Sequence, residues 1–204
     1  MKAESNSKKK VAIPGKKELQ VLEFDTPEKW ERWLEKHHEV SEGIWIRFYK
    51  KGSGVATVVY AGALDVALCF GWIDGQAKSY DEKSYLQRFT PRRLKSIWSK
   101  RNIEHIERLD KEGRMRAAGW KAVDAAKADG RWEQAYDSPS NMKVPDDFLK
   151  LISKKKKTLT FFQSLNKTNQ YAILWRLQTA KKAETRQKRM MDIIGMLERG
   201  EKFH

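Results

Sequence analysis

Trp72-Ile-Asp-Gly-Gln-Ala-Lys-Ser-Tyr-Asp-Glu-Lys-Ser-Tyr-Leu-Gln-Arg-Phe-Thr90 contains two runs, Trp72 to Lys78 and Ser84 to Thr90, on either side of the polar turn Ser79-Tyr80-Asp81-Glu82. That arrangement reads as an antiparallel hairpin. What surrounds the hairpin decides the class. Just upstream, Val59 to Phe70 is Ala-rich and carries Tyr60, Ala63, Leu64, Ala67 and Leu68 along one face. It reads as a helix closed by Gly71 as a C-cap. Further upstream, Ile44-Trp45-Ile46-Arg47-Phe48-Tyr49 alternates apolar residues as a strand does, and Leu19 to Phe24 is a shorter strand candidate. Between them Thr26 is placed as an N-cap and Pro27 at the first helical position, with Trp30, Trp33, Leu34 and His37 at helical spacing.

Beyond the hairpin the pattern is helical. Lys100 to Glu112 ends at Gly113, Met115 to Asp129 ends at Gly130, and Asp146 to Ser153 follows Pro145. Asn169 to Lys182 and roughly Thr185 to Arg199 close the chain, the latter with Met190, Ile193, Ile194 and Leu197 at i, i+3, i+4, i+7. The expected fold is therefore α+β: a small mixed or antiparallel sheet with flanking helices, followed by a helical C-terminal region. Arg131 to Val144, with Asp-Ser-Pro-Ser-Asn at its centre, is the expected joint, giving an α+β domain over 18–135 and a helical region over 136–204. Residues 1–17 hold six lysines and one glutamate with little to bury, and read as a disordered basic tail.

Composition constrains partners. Forty-two Lys and Arg against 27 Asp and Glu leave a net charge of +15 across 204 residues, which attracts phosphate-rich or otherwise anionic partners. Eight Trp, six Tyr and eight Phe supply ample material for a core. The single cysteine, Cys69, excludes an internal disulfide and any cysteine-based zinc finger, and points to a reducing compartment. Met1 to Lys17 lacks the apolar run of a secretory signal. Val55 to Ile73, the most apolar stretch, is interrupted by Asp65 and falls short of the roughly 18 apolar residues of a membrane span. The expected location is cytoplasmic, with no transmembrane segment.

The chemistry concentrates in Gln87 to Ile103, which carries six basic residues and no acid. Arg92, Arg93 and Lys95 fall on the connection between strand and helix, because Pro91 is unsuited to a ladder and Ser99 is a plausible N-cap. Lys100 and Arg101 then occupy the first helical turn, where the macrodipole prefers acids. Guanidinium groups, the Ser96 and Ser99 hydroxyls and free backbone amides at a helix start are what an anion site requires. The bland alternative is that these cations point into water on different faces. Trp98 could stack on a ligand ring or take an arginine over its face, though a Trp after Ile97 is more often core. Asp74, beside Gly75, could act as general base, as an acceptor for a cationic ligand, or as the counter-ion of Arg88 or Arg92, the last being the structural reading. Cys69, among Ala67, Leu68 and Phe70, reads as a buried small hydrophobe.

A second basic stretch, Trp175 to Arg189, carries six basic residues and one acid. Here Glu184 is spaced to pair Lys188, and Arg186 and Arg189 share a face. The reading as a helix pair with solvated cations stands beside one as a second anion-contacting surface of Lys181, Lys182, Glu184, Arg186 and Arg189. Lys154 to Lys157 reads as a solvated loop. His37, His38, His105 and His204 form no metal-ligand spacing, and no dinucleotide, Walker A or nucleophile-elbow motif occurs. No cofactor and no metal is therefore expected.

Three separated segments carry a resemblance: Ala67-Leu-Cys-Phe-Gly-Trp-Ile-Asp-Gly75; Arg88-Phe-Thr-Pro-Arg-Arg with Ser96-Ile-Trp-Ser-Lys-Arg-Asn102; and Ala180-Lys-Lys-Ala-Glu-Thr-Arg186 with Arg189. Through them the chain resembles the YdeI/OmpD-associated (OmdA, bacteriocin-protection) family over nearly all of its length after the tail. The resemblance implies a part in tolerance of bacteriocins or cationic antimicrobial peptides, and members are predicted to be periplasmic, unlike the location expected here. Leu94 stands where the family pattern has a second proline. The positions carried over are Trp72, Asp74, Arg88, Thr90, Arg92, Arg93, Ser96, Trp98, Ser99 and Asn102, with Lys181, Glu184 and Arg186 behind them.

Together these readings predict a binding protein rather than an enzyme. Its ligand would be a phosphorylated or carboxylated small molecule held by Arg88, Arg92 and Arg93, with Trp98 stacking and Asp74 orienting an arginine. Two alternatives stand: a nonspecific nucleic-acid surface on the tail, Lys154 to Lys157 and the last helix, and an enzyme using Asp74 as general base on an anionic substrate.

Overall fold

A computed structural model describes residues 18–204, so the expected basic tail lies outside the described residues. The described chain forms two compact units: one runs up to Ala67 and includes Trp72–Pro91, the other comprises Leu68–Gly71 and Arg92–His204.

The first unit is an α+β layer. It contains β1 (Val21–Leu22), α1 (Pro27–His37), β2 (Ile44–Tyr49), most of α2 (Tyr60–Cys69), β3 (Trp72–Ser79) and β4 (Ser84–Pro91). The strands lie in the order β1-β2-β4-β3. β1 pairs parallel to β2 and the other pairs are antiparallel, so the sheet is mixed. Thr26 caps α1 by accepting from the Lys29 amide, and Pro27 opens the helix where its missing N–H costs nothing. Along β2, Ile44, Ile46 and Phe48 turn inward, following the two-residue period of a strand. Trp30 and Leu34 of α1 are buried as well. Pro91 does sit in the ladder register, opposite Trp72, but at the last position of β4.

The second unit is helical: α3 (Lys100–Lys111), α4 (Ala117–Ala128), α5 (Asp146–Ile152), α6 (Lys156–Ser164), α7 (Lys167–Gln178) and α8 (Ala183–Glu198). Ser99 caps α3 through the Asn102 amide, as its spacing predicts. The apolar stripes of α5 to α8 close on one core that includes Phe148, Phe162, Ile173, Leu177, Met190 and Ile193. The expected loop at Lys154 to Lys157 is corrected. Lys156 and Lys157 open α6, which Phe162 and Thr158 anchor by burial, and Lys155 pairs with Glu198 at 2.9 Å.

Candidate functional site

Of the ten residues carried over, Trp72, Asp74, Arg88 and Thr90 belong to the first unit and the other six to the second. In the first unit the residues are tied into the fold. Trp72 is buried, donates its indole N–H to the His38 carbonyl at 3.2 Å and meets Trp30 and Trp33 edge-on. Asp74, expected to orient an arginine, instead accepts from the Tyr60 hydroxyl at 2.8 Å. A bulge between Asp74 and Ala77 accompanies this, and the Gln87 amide closes onto the Gly75 carbonyl at 2.7 Å. Arg88 packs across Gly75, leaving its buried Nε without an acceptor among the described residues. Thr90 packs its methyl against Gly43, whose φ of +135° admits no side chain comfortably.

In the second unit the arginine connection is folded rather than splayed. The Arg92 amide bonds the Gly71 carbonyl at 2.9 Å, and its guanidinium lies 3.7 Å from the centroid of the Trp98 ring while donating to the Ile97 carbonyl. Trp98 is 2% exposed and also meets Trp132. It is thus a platform for Arg92, a cation–π arrangement, rather than a surface for a ligand ring. Its indole N–H is buried without an acceptor among the described residues. Ser96 turns back onto Arg93 through a 2.9 Å backbone bond, and the Ser99 hydroxyl is spent on the α3 cap, accepting the Asn102 backbone amide.

Arg131, which the sequence reading assigned only to a joint, pins this connection. It is 5% exposed. Its Nε contacts both Asp129 oxygens at 2.7 Å, one Nη donates to the Ser96 carbonyl and the other to the Ala125 carbonyl. That guanidinium holds the Asp129 carboxyl below its usual range. No motif announces Arg131. Only its bonding, 35 residues back to Ser96, reveals the role.

Arg92, Arg93, Lys121 and Arg131 edge a cavity of about 230 Å³ floored by Gly71, Ala118, Ala122 and Ala125 of the same unit. No acid lines it. Arg93 and Lys121 are exposed and make no ion pair among the described residues. Leu94, 83% exposed, stands at its edge. A cationic rim over a small apolar floor suits a compact anion. The volume falls below the roughly 300 to 1,000 Å³ of drug-sized sites.

The second basic stretch is partly neutralised. Arg186 forks onto Asp147, its Nη2 at 3.0 Å, and Arg189 donates to the Arg176 carbonyl at 2.8 Å. Lys181 and Lys182 are exposed, and the expected Glu184–Lys188 pair does not form among the described residues.

Residues 141–200 match the family described as bacteriocin-protection, YdeI or OmpD-associated. That match covers 60 of the 204 residues, so the similarity to the family lies in the C-terminal region. Residues 22–122 match a domain of unknown function, DUF8412. No curated protein and no solved structure gives a match. The YdeI/OmpD-associated region thus spans α5 to α8 and includes Arg186 and Arg189. Gln178 to Lys181 of that region edge a second cavity of about 410 Å³, shared with Lys100, Arg131 and Tyr136. Among the described residues no three His, Cys, Asp or Glu side chains gather as a metal site would need, and no helix is long and apolar enough to cross a membrane.

At this second cavity Asp137 accepts from Lys100 at 2.8 Å and from Gln178 at 2.5 Å. Lys100 in the lead, they hold its carboxyl below the ordinary value of 3.8. The folded carboxyl therefore binds its proton more weakly than the unfolded one. The pair's contribution is complete above the unfolded pKa and is lost as pH falls through the depressed folded one. Asp147, lowered first by Arg186, adds to the same loss within the YdeI/OmpD-associated region. The thermal midpoint should fall below about pH 4, and less steeply in Lys100→Gln. An identical acid dependence in that variant, scanned by circular dichroism, would remove Asp137 from the account.

Proposed function

We propose that the second unit binds a small anion bearing a phosphate or carboxylate, without turning it over. The observation that carries this is the acid-free rim of Arg92, Arg93, Lys121 and Arg131 over a floor of glycine and alanines. Arg131 is neutralised by Asp129, so Arg93 and Lys121 supply the attraction, while Arg92, already aligned by Trp98, presents a guanidinium whose rotamer entropy is spent before the ligand arrives. The apolar floor favours an anion with a compact hydrophobic body over a bare ion. Asp74, held by Tyr60, gives no support to the reading in which it works as a general base. The family description, matched over α5 to α8 and not over this cavity, supports a part in bacteriocin protection for the chain rather than for this binding, and the lone, buried Cys69 supports a reducing compartment.

Calorimetric titration with phenyl phosphate, benzoate and inorganic phosphate tests the reading. One of the ring-bearing anions should bind more tightly than phosphate. Arg93→Ala with Lys121→Ala should weaken it by roughly tenfold or more, and added salt should weaken it further. Binding that ignores both substitutions, or no heat from any of the three, would overturn it.

A further inference from the structure

A different cavity, wholly within the first unit, has the build of a site for a planar aromatic phosphate. It is the largest of those described, about 720 Å³, and lies between the end of β2, the start of α2 and the loop that joins them. Its floor is Phe48, which is buried. Tyr85, the residue paired with Phe48 across β2 and β4, stacks on it with centroids 5.4 Å apart and planes 15° from parallel. Tyr60 meets the same ring edge-on at 6.4 Å. Both tyrosines are half-buried, so part of each ring faces the cavity rather than the core. The Tyr60 hydroxyl is engaged by Asp74, whereas the Tyr85 hydroxyl has no partner among the described residues. Tyr60 and Tyr85, backed by the buried Phe48, thus offer aromatic surface for a ring and one unused hydroxyl to orient it.

The cavity is also lined by the loop Lys50-Lys51-Gly-Ser-Gly-Val55. Gly52 and Gly54 have φ of +87° and +75°, and a Cβ on either would meet nothing within 4 Å. They are glycine for the backbone conformation and leave the chain bare on that side. A turn from Ser53 to the Lys50 carbonyl and a bond from the Val55 amide to the Ser53 hydroxyl shape the loop. The Gly52 and Gly54 amides donate to no protein acceptor among the described residues. With the Ser53 and Val55 amides spent, these two alternate N–H groups are the loop's remaining backbone donors for an anion. Lys50 is braced by the Glu82 carbonyl at 2.9 Å, Lys51 has no partner among the described residues, and no acid lines the cavity. Val55 and Val59, 45% and 71% exposed, leave apolar surface at the mouth.

We infer that this cavity binds a mononucleotide, its base against Tyr85 and Tyr60 and its phosphate at Lys50, Lys51 and the glycine loop. The volume falls inside the roughly 300 to 1,000 Å³ of small-molecule sites. A bare phosphate would leave the aromatic wall unused, and a nucleoside would leave the cations unpaired.

Titrating the full chain with the 5′-monophosphates of adenosine, guanosine, cytidine and uridine, and with adenosine and inorganic phosphate alone, tests this by calorimetry. At least one monophosphate should bind more tightly than either fragment. Lys50→Ala with Lys51→Ala, both at the surface, should weaken it by roughly tenfold, and Tyr85→Leu by a similar factor. Arg93→Ala with Lys121→Ala should leave it unchanged, which separates this site from the anion cavity of the second unit. No binding by any monophosphate, insensitivity to the lysine substitutions, or a loss produced instead by the Arg93 and Lys121 pair would each overturn the inference. If Tyr85→Leu fails to fold, the lysine variant decides alone.

Discussion

Trp30→Ala is expected to lower the unfolding free energy by about 4 to 5 kcal/mol, the upper part of the range for deleting a buried large aromatic. Trp30 is fully buried on α1 and its indole N–H donates to the Ala63 carbonyl of α2 at 3.1 Å. Its ring lies 5.2 Å from Phe24, 5.4 Å from Trp33, 6.0 Å from Trp72 and 5.8 Å from Phe89. Those neighbours come from α1, β3, β4 and the segment after β1, so no single element can move to fill the hole. At about 2 to 4 °C per kcal/mol for a chain of this size, the midpoint should drop by about 8 to 20 °C. Trp33→Ala, from a ring that is only half-buried, should cost less. Equal losses from the two, followed by far-UV circular dichroism, would show that the core does not centre on Trp30.

The contrast between those two tryptophans was legible in the sequence only as a shared helical face. Local signals read well because their physics is local. Thr26 and Ser99 each cap a helix by reaching three residues forward, and Gly71, Gly113 and Gly130 take the positive φ that ends a helix. The alternation in β2 gave its limits and its inward face. α6 escaped because it starts on lysines with no capping side chain, and it is held by the burial of Thr158 and Phe162, the latter in a core drawn from three other helices. The candidate site was legible in composition and not in partnership. An acid-free arginine run is visible in one dimension. That Trp98 would turn inward to carry Arg92, that Asp74 would go to Tyr60, and that Arg131 would pin the Ser96 carbonyl are all contacts made by folding.

The same limit hides the tightest contact beneath the anion cavity, and it makes Gly119→Ala the second large effect. Gly119 lies in the first turn of α4, where a Cβ would run into the Cys69 carbonyl and come within 2.9 Å of Met115 Cε. The methionine can move. The carbonyl cannot, because it ends α2 and accepts the Arg116 amide at the start of α4. Next to it Gly71, at φ +70°, would place its own Cβ 2.7 Å from the Ala118 carbonyl. α4 therefore rests on Leu68–Gly71 backbone to backbone, and Ala118, Ala122 and Ala125 floor the cavity as a result. An alanine at position 119 must push the helix outward, breaking the Arg116 bond and lifting that floor. The expected cost is about 3 kcal/mol, at the high end for overpacking, or about 6 to 12 °C in midpoint, with loss of anion binding even where folding survives. Gly195→Ala is the matched control. In the last turn of α8 its Cβ meets only Arg199 Nη1 at 3.4 Å, a flexible side chain, so helix propensity should make it neutral or stabilising by up to about 1 kcal/mol. If the substitution at 119 is as harmless as the one at 195, the close packing that shapes the cavity is not what holds it open.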